Sequence, residues 1–175
     1  MRAGERLRGK GVLSRIFLAL SIVMLGVVCF FPAIASLSWH ALHGSEAAHL
    51  GWTVHVPKDW LAWNINGKWH LVALGKNVFS FKPGMFEIDE PRAWWNAEKH
   101  YERSKVELER VFGPGALSRS EKEITIASVE GYCKEFRRKD WSDVLCYSKD
   151  GWGFSYHGSD LFLTDFYQII SNLKR

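Results

Sequence analysis

The stretch Gly131–Ser148, GYCKEFRRKDWSDVLCYS, carries two of the chain's three cysteines at mirror positions about a polar centre. If Lys139 and Asp140 form a two-residue loop, Arg138 faces Trp141. Cys133 then falls opposite Cys146 at a non-hydrogen-bonded position of an antiparallel pair. Such positions bring Cα atoms to about 4.5 Å, within the usual disulfide window of about 4.4–6.8 Å. The pattern thus predicts a hairpin of defined register with a cross-strand disulfide. Two separate buried thiols are the other reading, since unbonded cysteine is often buried. A zinc site is disfavoured, because no second cysteine or histidine pair stands nearby at ligand spacing. A disulfide requires an oxidising compartment.

The N-terminus agrees with export. Residues 1–15 hold five basic residues and one acid, and the sixteen residues from Ile16 to Phe31 carry no charge. A basic segment before an apolar run is an export signal. Two readings stay open. Pro32 ends the apolar helix and Ala33–Ala35 is a small-residue cleavage site, so the mature chain starts at Ser36; or residues 16–38 remain as a membrane anchor, for which about 20 residues are needed. Either way the basic end stays cytoplasmic and the rest lies outside. The expected location is the inner membrane with the C-terminal domain outside the cytoplasm, or the periplasm after cleavage near Ala35. Cys29 follows LGVV, where a lipoprotein signal needs a small residue before the cysteine, so it is an ordinary apolar position.

Of 23 basic and 19 acidic residues, residues 1–35 contain five and one, which leaves eighteen of each sign. The net positive charge belongs to the targeting segment, and a nucleic-acid-binding domain loses its compositional support. Residues 39–50 read as a juxtamembrane linker and 51–175 as one domain, large enough to bury its own core.

Within that domain Trp52, Val54 and Val56 alternate with Thr53 and His55, a strand stopped by Pro57. GKWHLVAL and NVFSF read as two more strands. The period then changes: over 91–112, Trp94, Ala97, Tyr101, Leu108, Val111 and Phe112 share a helical face, with charged residues opposite. Pro91 suits the first helical position and Gly113–Pro114 the end. EITIA, GYCKEFR, DVLCYS and WGFSY read as four short strands, the last two joined by an Asp-Gly turn. Phe166, Ile169, Ile170 and Leu173 recur at helical spacing, with Ser159 or Thr164 as cap. The fold class is α+β: an antiparallel sheet with two packed helices, preceded by an N-terminal transmembrane or signal helix.

The run GWTVHVPKDW, a strand ending in Pro with Trp soon after, resembles the opening of the PsbP/Mog1-like superfamily, which includes DcrB-like envelope proteins. The order of elements through GYCKEF, DGWGFSY and FYQIISNL is also similar to that group, over about residues 50–173. The resemblance implies an α+β domain that binds or assembles with partners rather than catalysing a reaction. It supplies no catalytic residues, and the long N-terminal apolar segment without a lipobox and the cysteine pair depart from the family pattern.

Ser155, His157 and Asp160 in GWGFSYHGSD suggest a hydrolytic site, but a nucleophile elbow needs glycine where His157 stands. His40 and His43 share a helical face yet have no third ligand in sequence, so no metal is expected. Nine tryptophans are many for this length. Trp39 suits a bilayer interface, and Trp52, Trp94 and Trp152 suit the core. Trp60, Trp63, Trp69, Trp95 and Trp141 are hard to bury together, and exposed indoles stack on sugars or anchor protein interfaces. The candidate binding surface is therefore Trp60, Trp63, Trp69 and Trp141 with Arg137 and Arg138, the last two a cationic contact for an anionic partner. The expectation is a non-enzymatic envelope binding or assembly module without cofactor, its partners the membrane and an envelope protein. The alternative is a glycan or small-ligand binding domain using the same tryptophans.

Overall fold

The computed structural model describes residues 4–90, 103, 106, 107, 109, 110, 113, 118–126 and 128–175, apart from 66, 77 and 81, with side chains from Ser14 onward except at 65, 80, 118, 119 and 121. Two N-terminal helices, α1 (Gly4–Cys29) and α2 (Phe31–His43), precede nine strands: β1 (Glu46–His49), β2 (Trp52–His55), β3 (Trp60–Ile65), β4 (Lys68–Ala73), β5 (Gly84–Asp89), β6 (Ser118–Ile126), β7 (Val129–Arg138), β8 (Trp141–Ser148) and β9 (Gly153–Ser159). A 3-10 turn at Val78–Ser80, a second at Asp160–Phe162 and helix α3 (Leu163–Ser171) complete the described elements. β1 and β2 form a hairpin sheet of their own. The other strands form one antiparallel sheet in the order β3-β4-β5-β9-β8-β7-β6. The chain is α+β.

Two meanders meet at the β5–β9 pair. Gly84 lies opposite Gly158 there, and a Cβ on Gly158 would stand 2.5 Å from the Gly84 Cα. Only glycine permits that approach. One face of the sheet buries Leu71, Phe86, Ile126, Val144, Phe154 and Tyr156. Phe166, Ile169 and Ile170 of α3 cover it, together with Trp52 and Val54 of β2. The Ser159 side chain accepts from the Leu161 N–H and starts the last helical segment, as its cap position predicts. The end of the chain is tied down as well: Thr53 and Lys174 exchange backbone hydrogen bonds, and the Arg175 guanidinium lies 4.5 Å from the centre of the Trp52 ring.

The β7–β8 hairpin has the register expected from its cysteines. Arg138 pairs with Trp141 and Cys133 with Cys146, and the two cysteines are at disulfide distance with Cα atoms 4.0 Å apart. Lys139 takes the left-handed region, φ 52°, as the twist of a tight hairpin demands of a loop residue.

Several expectations need correction. NVFSF is not a strand: Val78–Ser80 is a 3-10 turn. Residues 39–50 are not a linker, because α2 runs to His43 and β1 pairs with β2 throughout. Trp39 packs against the domain, alongside Leu61, Val72 and Leu74 on the second face of the sheet. β3, which opens on the unbroken apolar run Trp60–Trp63, and β5, in which Phe86 and Ile88 alternate with Glu87 and Asp89, are strands beyond those expected, and their pairing defines them. The face of the 91–112 helix formed by Trp94, Tyr101 and Leu108 lies outside the described residues, as does Trp95. At its end, Gly113 has a left-handed φ of 89° and its N–H bonds Glu109 O at 2.8 Å, a helix-terminating geometry.

Among the described residues no single helix is long and apolar enough to cross a membrane. Ser14–Cys29 and α2 qualify only together, with a 74° bend between them. Every described residue of α1 is exposed except Gly26 and Cys29, which are half-buried.

Candidate functional site

The tryptophans divide because of strand geometry. Trp60 and Trp63 are three apart on β3 and so point to opposite faces. Trp60 is 0% exposed, packs edge-on against Phe162 with ring centroids 5.7 Å apart, and donates from Nε1 to Asp165 Oδ2 at 3.0 Å. It is a core residue and contributes nothing to a binding surface. Trp63 is 50% exposed.

Trp63 and Trp69 border a cleft of about 420 Å³ with Trp39, His43, Glu46 and Asn64. Two of its indoles are already stacked on imidazoles. Trp69 lies on His49 with centroids 4.5 Å apart, and Trp39 on His43 at 5.1 Å. Burial holds the His49 imidazole below its ordinary pKa, partly countered by Glu90, so the stack favours the neutral ring. β1 and β3, which both contribute to the cleft, each pair with a neighbour on one side only. Their outer edges carry backbone groups that an added strand would satisfy. Sequence reasoning missed Trp39, His43 and His49 here. Their only sequence signal was an aromatic-histidine composition, and the cleft exists because α2 folds back onto β3.

Trp141 and Arg138 are elsewhere. They line a groove of about 560 Å³ at the tip of the β7–β8 hairpin, with Lys82, Pro83, Lys139 and Ser159. Trp141 is half-buried and stands edge-on to His157, centroids 5.0 Å apart. Its Nε1 is buried and has no hydrogen-bond partner among the described residues. Arg137, next to Arg138 on β7, points to the other face. Its Nε donates to the buried carboxylate of Glu135, which also accepts from the Tyr167 hydroxyl at 2.9 Å. That hydrogen bond raises the Arg137 pKa, and the contact ties β7 to α3. The six candidate residues therefore do not form one surface.

The hydrolytic constellation is not assembled. His157 Nδ1 pairs with Asp143, while Asp160 Oδ1 accepts from Ser142 Oγ at 2.6 Å. The hydrogen bond to Asp143 raises the His157 pKa against the opposing effect of burial. His40 directs Nδ1 at Gly44 O and Nε2 at Pro57 O, at 2.8 and 3.0 Å, so it joins α2 to the loop before β3. Among the described residues no group of three His, Cys, Asp or Glu side chains is placed to hold a metal ion.

No protein-family model and no curated protein matches this chain.

Proposed function

We propose that this chain is a non-enzymatic binding or assembly module of the cell envelope. Its N-terminal apolar segment holds or delivers it to the outer side of a membrane, and its folded domain takes a protein partner in the Trp63 cleft. The observation that carries the reading is the contrast between α1 and α2. Among the described residues the apolar run of α1 is exposed apart from Gly26 and Cys29 near its C-terminal end, whereas α2 packs Ala35 and Trp39 onto the domain. An unburied apolar helix of that length needs lipid or a signal-sequence receptor around it. The paired cysteines add support, because cross-strand disulfides persist in oxidising compartments. The resemblance to the PsbP/Mog1-like superfamily points the same way.

A protein partner fits the cleft better than a sugar. A glycan platform needs open indole faces, and the imidazoles of His49 and His43 already cover one face each of Trp69 and Trp39. An extended segment can instead pair with the free edge of β3 and seat a side chain beside Trp63. The test places a photo-crosslinking amino acid at Asn64, on that edge, and at Lys149 as a remote control. A protein adduct from position 64 alone, lost on Trp63→Ala, is expected. Quenching of tryptophan fluorescence by envelope polysaccharide, with no adduct, would establish the glycan alternative. Equal adducts from both positions would discard the cleft.

A further inference from the structure

One end of the large sheet collects basic and bare apolar side chains from three separate loops: the β4–β5 connection, the β7–β8 tip and the turn after β9. The segment after β4 contributes Lys76 and the 3-10 turn with Phe79, which is 84% exposed. The lead into β5 contributes Lys82, the β7–β8 hairpin tip Arg138 and Lys139, and the turn after β9 Leu161, 68% exposed. The register shows that these are one end: Ala73 pairs with Gly84, Gly84 with Gly158, and Gly158 with Ser142 beside the hairpin tip. Among the described residues two acids lie at this end. Asp140 is within 3.6 Å of Lys82; the Asp160 N–H bonds Asp140 O, and its half-buried carboxylate accepts from Ser142 Oγ. The basic side chains outnumber them. The loops are far apart in sequence, so no local pattern announces the patch.

The same end meets α1. Helix α1 touches the domain at the Val78–Ser80 turn, and its half-buried residues are Gly26 and Cys29, in its last two turns. The uncharged part of α1, fourteen residues from Ile16 to Cys29, measures about 21 Å at roughly 1.5 Å per residue. A bilayer's hydrocarbon core is about 30 Å thick. The helix cannot continue straight into α2, which is bent away by 74° and held against the sheet by Ala35 and Trp39. A span shorter than the hydrocarbon core is accommodated by local thinning of the bilayer and by flanking residues that reach to the headgroup layer.

We infer that this end of the sheet is a lipid-facing surface that seats on anionic phospholipid. Phe79 and Leu161 enter the boundary between headgroups and acyl chains, and Lys76, Lys82, Arg138 and Lys139 meet headgroup phosphates. Basic residues interleaved with exposed apolar ones are the composition of a membrane-interface surface. The groove over Trp141 offers an apolar wall under a cationic rim, the shape of an anionic headgroup with the start of its chain. This inference rests on the membrane tethering proposed above. It leaves the opposite end of the strands, where Trp63 and Trp69 lie, directed away from the bilayer and open to a partner.

The test uses the full chain with Cys29→Ser, reconstituted into phosphatidylcholine vesicles with or without phosphatidylglycerol. An environment-sensitive fluorophore is attached at Phe79→Cys, at Leu161→Cys, or at Lys149→Cys as the remote control. The expected result is an apolar emission shift at 79 and 161, larger with phosphatidylglycerol, and none at 149. Each basic residue near an anionic surface counts for roughly a factor of five. Lys82→Gln with Lys139→Gln should therefore lower the seated-to-unseated ratio about twentyfold in phosphatidylglycerol vesicles, with the chain still resistant to carbonate extraction. Probes at 79 and 161 that stay in water while the chain resists extraction would overturn the lipid-facing surface and leave tethering intact. A chain extracted by carbonate would overturn both. A response equal in the two lipids would overturn the anionic preference on which the basic residues are argued.

Discussion

Replacing Trp60 with alanine should unfold a large share of the domain's stability, although the residue sits in a sequence rich in exposed-looking aromatics. The indole is fully buried between Phe162 and Tyr156, with ring centroids 5.7 and 6.3 Å away. Truncating a buried aromatic to alanine costs about 3–5 kcal/mol in lost transfer energy and residual cavity. The change also removes the donor to Asp165. That carboxylate is only partly buried and can turn to water, so its own share is about 1 kcal/mol. Trp60→Phe keeps most of the apolar volume and loses the hydrogen bond, and should cost about 1–2 kcal/mol. Trp63→Ala removes a half-exposed ring and should cost no more than about 1 kcal/mol. Urea titration of the purified chain, followed by far-ultraviolet circular dichroism, measures all three. The order Trp60→Ala, then Trp60→Phe, then Trp63→Ala is the expected result. A Trp60→Ala variant within about 0.5 kcal/mol of Trp63→Ala would refute the assignment of Trp60 to the core.

Three further outcomes can be checked. Non-reducing peptide mapping should recover Cys133 linked to Cys146 and Cys29 free; the thirteen-residue separation gives a chain-entropy contribution of about 3 kcal/mol that Cys133→Ser with Cys146→Ser would remove. The His157 pKa, raised by its hydrogen bond to Asp143, contributes stability that is complete below the unfolded-state pKa and lost as pH rises through the folded value. Asp143→Asn should return the imidazole toward its ordinary range in an NMR titration, and an unchanged midpoint would dismiss the pair. A reporter enzyme active only outside the cytoplasm, fused after Arg175, should be active, and sequencing the mature N-terminus separates cleavage at Ser36 from a retained anchor.

Local chemistry is the part of this protein that its sequence determines. The β7–β8 hairpin follows from two cysteines spaced evenly about a turn, the start of the last helical segment from Ser159, and the strand at 52–55 from alternation ended by Pro57. Each depends on residues within about fourteen positions, so side-chain period and turn chemistry suffice. Tertiary structure decides what lies on a surface. Trp60 and Trp63 are alike in composition and neighbourhood. Only the pairing of β3 with β4, under α3 on one face and α2 on the other, buries the first and leaves the second half-exposed. β5 alternates buried and half-buried residues, but its place in the sheet depends on Gly84 and Gly158, which let two meanders close on each other. That closure also gathers the basic loops at one end of the sheet. It is a long-range event, whose free energy comes from burying both meanders in one core, and no window of sequence contains it.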